Sequence, residues 1–127
     1  MKLSFICERK TAAYKNAVRN GTESFLFPDY TILRLTTPEA VQHYSRKTCP
    51  DWQDGENDPV CTVVFQNAVD YLSQGPIYLL FQGETPIIMG QPGISYYSYL
   101  TRDYFGWQKW AKEAIDKTAQ SLQSKNV

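Results

Sequence analysis

What this 127-residue sequence has little of narrows its function more than what it has. It has no surplus of charge: 13 lysines and arginines balance 13 aspartates and glutamates. Without a long-range field of one sign, neither nucleic acid nor an anionic membrane draws the chain, so direct nucleic-acid binding is not expected. It has no apolar run of the ~20 residues that cross a bilayer, and the stretch from Met1 reaches charged Glu8 and Arg9 before a secretory core forms. The expected location is the cytoplasm. Cysteine is scarce and odd in number: Cys7, Cys49 and Cys61 are widely spaced and read as reduced thiols rather than a disulfide framework.

Metal and catalytic signatures are also missing. His43 is the only histidine, and with the three cysteines it gives gaps that do not resemble the paired ligands of a zinc site. Asp51, Asp54, Glu56 and Asp58 lack the alternating order and distant glutamate of a calcium loop. Glycine-rich phosphate loops, nucleophile elbows, His-Glu-x-x-His and dinucleotide fingerprints do not occur. No cofactor, metal ligand or catalytic residue is therefore assigned. The enzyme alternative is a small cysteine-dependent or other small-molecule enzyme using Cys49, with His43 as the base a thiolate nucleophile needs, or the tyrosine cluster.

What the sequence does have is rings. Nine tyrosines, six phenylalanines and three tryptophans exceed what a small core readily absorbs, and tyrosine and tryptophan are favoured at recognition surfaces. The length is that of one domain, 1–127. Leu3 to Cys7 alternates as a short strand, and Ala12 to Asn20 reads as a helix stopped by Gly21. Phe25–Phe27 and Tyr30–Leu35 read as strands. Thr36-Thr37-Pro38-Glu39 then opens a helix to about Lys47, with threonine capping and proline where no donor is needed.

Thr48 to Pro59 holds three prolines or glycines among its carboxylates and is expected to be an exposed loop. Val60 to Gln74 has helical spacing and ends at Gly75. Two runs, Pro76–Phe81 and Thr85–Met89, flank Gln82-Gly83-Glu84 as a hairpin, and Pro86 pushes the second toward a sheet edge. Gly90 to Gly93 reads as a turn, and Ile94–Leu100 as either strand or ordered loop. A last helix from Asp103 or Trp107 to Leu122 carries a stripe that should bury Trp110. The expected fold class is α+β, a small antiparallel or mixed sheet with helices mainly on one face.

Two segments qualify as partner-binding sites. Trp52 among Asp51, Asp54, Glu56 and Asp58 offers an aromatic anchor with charge for steering toward a basic surface on another protein. Tyr96, Tyr97 and Tyr99 with Trp107 form the second. Their rings would suit base stacking, but only Arg102 and Lys109 lie near, short of the basic groove such platforms need. The same rings equally serve self-association, and a homodimer through this segment is a further expectation.

Leu35-Thr36-Thr37-Pro38-Glu39-Ala40 through Tyr44 and Thr48, Cys61-Thr62, and Tyr71-Leu72-Ser73-Gln74-Gly75-Pro76-Ile77-Tyr78 together resemble a small module of uncharacterised phage-encoded proteins. In that module a threonine-rich helix start leads to Trp-Cys-Thr, a helix and a Gly-Pro-Leu-Tyr strand. Here Trp52 and Cys61 are not adjacent, and the acidic segment lies between them. The resemblance covers about a third of the chain and carries no active residue over. It implies a phage or mobile-element origin, a bacterial host cell, and a non-enzymatic inhibitor of a host defence complex of the anti-CRISPR type. Such a protein would act by placing carboxylates against the lysines and arginines that otherwise hold phosphate.

Overall fold

Five short strands pair as an open antiparallel sheet in the order β1-β2-β3-β4-β5. The structure is a computed structural model, and it describes residues 12–48 and 67–125. The elements are α1 (Ala12–Asn20), β1 (Thr22–Leu26), β2 (Thr31–Leu35), α2 (Pro38–Thr48), β3 (Ile77–Gln82), β4 (Thr85–Gln91), β5 (Ser95–Ser98) and α3 (Lys109–Lys125). Residues 67–71 are helical and tighten into a 3-10 turn at Leu72–Gln74 before Gly75. The fold is α+β, and the sheet is antiparallel rather than mixed. Of the expected loop Thr48–Pro59, Thr48 is instead the last residue of α2, and the rest, with the expected strand at Leu3–Cys7 and residues 60–66 of the expected central helix, lies outside the described residues.

The described residues form two compact units, one of 12–23, 34–48 and 67–77, the other of 24–33 and 78–125. In the first, one side chain serves two helix ends. The Thr37 hydroxyl accepts from Ala40 N–H at 3.1 Å, capping α2, and donates to the Ala17 carbonyl at 3.1 Å in the last turn of α1. Gly21 then turns the chain, its N–H reaching the Ala17 and Val18 carbonyls, and its carbonyl accepts from Thr36 N–H at 2.8 Å. The threonine cap read from the sequence is thus also a tie between α1 and α2.

In the second unit α3 lies on one face of the sheet. Its stripe of Ala111, Ala114, Ile115 and Thr118 is buried, and the first three pack with Ile32, Tyr78, Leu80, Ile87, Ile88 and Tyr96. The β3–β4 hairpin turns at Gly83, whose φ of +61° a side chain would resist, with Gln82 opposite Thr85. The register slips between Leu80 and Phe81, so that Leu80 faces Ile88 while Phe81 faces Pro86. Ile87 is the extra residue of this bulge. That re-aims it, and Ile87 and Ile88 both enter the same core although they are consecutive.

Four expectations are corrected here. β4 is an interior strand, not an edge. Pro86 is tolerated because it sits at the bulge, and β5 pairs only with Ile88 to Gln91, leaving no ladder bond for the missing N–H to break. Gly90 belongs to β4 rather than to the following turn, and Ser95–Ser98 is a strand. The last helix begins at Lys109, so Trp107 precedes it. Trp110 therefore falls in the first turn, on the flank of the buried stripe, and is 37% exposed instead of buried.

Candidate functional site

The two flanks of α3 differ in chemistry. Lys112 and Asp116, four residues apart, face β5. Asp116 accepts from the Tyr96 hydroxyl through one oxygen and pairs with Lys112 Nζ at 2.7 Å through the other. Trp107 lays its ring 5.9 Å from that of Tyr96, and Lys112 stands 5.4 Å above the Tyr96 ring. Burial, then the Asp116 hydrogen bond and charge, holds the Tyr96 phenol well above its ordinary value.

This arrangement is a clamp between β5 and α3, and its pH dependence has a definite sign. A phenol whose folded pKa is raised contributes stability that is complete below the unfolded value near 10 and is lost as pH rises beyond it. Tyr96→Phe is expected to cost about 1–2 kcal/mol at neutral pH, the usual worth of a hydrogen bond to a charged group. It should also flatten part of the loss of stability above pH 10 in urea titrations followed by circular dichroism. An unchanged slope would remove the clamp.

The other flank is apolar and open. Trp110, Ala114, Lys117 and Ser121 follow one another at intervals of four, three and four residues and so line one side of the helix. Against them stands the β1–β2 hairpin, where Phe27 N–H donates to the Tyr30 carbonyl at 3.0 Å and Pro28 and Asp29 make the turn. That turn brings the Phe27 and Tyr30 rings into a stack at 4.8 Å, and Tyr30 in turn meets Trp110 at 5.8 Å. Beside this run of rings opens a cleft of about 320 Å³, lined by Phe25, Phe27 and Tyr30 from the hairpin and by Ala114, Lys117, Thr118, Ser121 and Leu122 from α3. Phe27 is 38% exposed and neighbouring Leu26 80%.

The residues singled out from the sequence are distributed differently. Tyr96 and Tyr97 are only 5% and 3% exposed, on opposite faces of β5. The Tyr97 ring is met edge-on by Tyr99 at 5.2 Å and by Tyr104 at 5.3 Å, and burial, followed by Tyr104 and Asp103, raises its phenol. Tyr99 is half-buried with its hydroxyl 3.6 Å from Met89 Sδ, and Trp107 is half-buried. Asp51, Trp52, Asp54, Glu56 and Asp58 lie outside the described residues, as do Cys7, Cys49 and Cys61. His43 is half-buried on α2 with its ring 4.9 Å from Tyr44. Among the described residues no group of three or more His, Cys, Asp or Glu side chains gathers as a metal site.

Sequence reading missed the ring run because Tyr30 and Trp110 are far apart in the chain. The one available signal was Phe-Pro-Asp-Tyr at 27–30, a two-residue turn bracketed by rings. No described helix is long and apolar enough to cross a membrane. No protein-family model, curated protein or solved structure matches this chain.

Proposed function

We propose that this chain is a non-enzymatic binding module that docks another protein. The observation that carries the reading is the contiguous run of Phe27, Tyr30 and Trp110 beside an apolar cleft, with two of the three rings more than a third exposed. Leaving tryptophan and phenylalanine in water forgoes burial at about 25 cal/mol per Å² of apolar surface, and side chains of this kind anchor protein interfaces.

In the finer form of the proposal the partner presents a basic surface, and the protein is a phage or mobile-element inhibitor of a host defence complex. The sequence supports this with the carboxylates Asp51, Asp54, Glu56 and Asp58 around Trp52, and with the resemblance to a phage-encoded module. The carboxylates would occlude lysines and arginines that hold phosphate, while the rings supply desolvated anchors.

The test is affinity capture from a bacterial lysate at low and high salt, with mass spectrometry of the retained proteins. Wild type is compared with Trp110→Ala, and with Asp54, Glu56 and Asp58 replaced together by alanine. A discrete partner is expected, weakened about 30-fold by Trp110→Ala, the effect of losing an interface anchor worth roughly 2 kcal/mol. The triple variant should lose the salt dependence of binding. A partner retained equally by all three proteins would reject both surfaces.

A further inference from the structure

The two edges of the sheet are finished differently. At the C-terminal end of β5 the chain closes its own edge at Ser98: Ser98 N–H donates to the Asp103 carbonyl and Arg102 N–H to the Ser98 carbonyl, both at 2.8 Å. Asp103 holds that loop in shape, its carboxylate accepting from Phe105 N–H at 2.9 Å, Gly106 N–H at 2.7 Å and the Thr101 hydroxyl at 3.0 Å. At β1 no described strand pairs with the free side. The bonds of Gly21 to Thr36 and of Phe27 to Tyr30, the residues flanking β2, establish which backbone groups face inward. By the two-residue period, Glu23 and Phe25 also face β2, and the N–H and C=O groups of Ser24 and Leu26 point outward.

Exposed edges are usually blunted by lysine, proline or a bulge, because unpaired backbone groups recruit other strands. β1, Thr-Glu-Ser-Phe-Leu, contains neither proline nor lysine. Its only charge, Glu23, is paired with Arg34 at 2.6 Å across the ladder.

The β1 edge, free of any described strand, and the cleft are one feature. Phe25, near the end of β1, and Phe27, just beyond it, form one wall of the cleft, and Lys117, Ser121 and Leu122 of α3 form the other. A strand laid along Ser24 to Leu26 would therefore drop every second side chain between β1 and α3. Lys117 gives the occupant its charge. Of the lysines on α3, Lys109 faces Glu113 and Lys112 faces Asp116, whereas Lys117 has no carboxylate partner among the described residues.

We propose that β1 and this cleft capture an extended segment of a partner protein by strand addition. An apolar side chain would sit among Phe25, Phe27, Tyr30 and Leu122, and an acidic side chain two residues away would meet Lys117. The proposal rests on the protein-binding reading and deepens it by naming what the cleft takes. Backbone bonds to Ser24 and Leu26 supply affinity, and the alternating pockets select the sequence.

The probes are two fluorescein-labelled heptapeptides, Thr-Thr-Glu-Thr-Phe-Thr-Thr and its reverse, each with a counterpart bearing lysine for glutamate. They are titrated by fluorescence anisotropy against the full chain, against Lys117→Glu, and against Ser24→Pro, which removes an outward N–H and leaves the ladder to β2 intact. At least one acidic peptide is expected to bind saturably, about fivefold tighter than its lysine counterpart, with that preference reversed by Lys117→Glu and binding lost in Ser24→Pro. Lys117→Glu, an exposed helix position, keeps the test valid if Ser24→Pro melts lower.

No saturable binding of either acidic peptide would overturn the proposal, and so would binding indifferent to both substitutions. A concentration-dependent dimer in light scattering that Ser24→Pro dissolves would overturn it too, by giving the edge to a second copy. Lysate capture of a partner that depends on Trp110, with no peptide binding, would sink strand addition alone. Peptide binding without a captured partner would keep this site and reject the Trp110 surface.

Discussion

Ile115→Ala is expected to lower the stability of the protein by about 2–5 kcal/mol, the range found when a buried branched side chain is cut to a methyl. Ile115 is wholly buried at the centre of the α3 stripe, packed in one cluster with residues from β2, β3, β4 and β5. Its removal loses the transfer free energy of three carbons and leaves a void that strands joined by backbone ladders close poorly. Against a total of roughly 5–15 kcal/mol this is a large share, and at about 4 °C per kcal/mol the melting temperature should fall by about 8–20 °C. Thermal melting by far-ultraviolet circular dichroism is the measurement. A fall of under 4 °C would mean that α3 does not depend on this contact for its place on the sheet, and the cleft would lose one of its walls.

Gly90→Ala should be nearly as costly for the opposite reason. Gly90 stands opposite Tyr96 in the β4–β5 ladder, and an added Cβ would meet Tyr96 Cδ1 at 2.5 Å, the Ser95 carbonyl oxygen at 2.6 Å and Tyr96 Cα at 3.0 Å. A ring edge can rotate away, but two of the three obstacles are backbone, so β5 itself must shift. Overpacking of this kind costs about 1–3 kcal/mol. The shift would also pull the Tyr96 hydroxyl from Asp116, so the loss should sit at the upper end of that range and the alkaline phenol titration should move toward its ordinary position. Equal stability of Gly90→Ala and wild type in urea would show that the ring does not lie over this glycine. Neither substitution touches the cleft-lining side chains, so any surviving folded fraction should still bind the peptide probes.

Much of the secondary structure is legible in local chemistry. The α1 helix and its stop at Gly21, the Thr37-Pro38-Glu39 start of α2, the Gly83 turn and the strands on either side of it all appear within a residue or two of where capping and turn preferences put them. The errors cluster where a distant segment decides. Pro86 reads as an edge signal, yet β4 has a neighbour on each side, because the bulge at Ile87 and the short reach of β5 make the missing donor harmless. Gly90 reads as a turn and is a strand residue, because a glycine there makes room for a ring from the next strand.

The aromatic residues divide along the same line. That the chain carries eighteen aromatic rings and balanced charge follows from composition alone. Which rings stay in water does not. Tyr96 and Tyr97 alternate across β5 and are both buried, while Trp110, on a stripe that looks like core, stands 37% exposed beside Tyr30. Periodicity, caps and turns are properties of a few consecutive residues, and the sequence by itself determined those, together with the α+β class they add up to. The cleft, a Lys117 with no carboxylate partner among the described residues, and a β1 edge that no described strand covers depend on two segments some eighty residues apart meeting across a sheet. Only the tertiary structure decided them, because no local spacing encodes which distant side chain will fill, or leave unfilled, the space beside a strand.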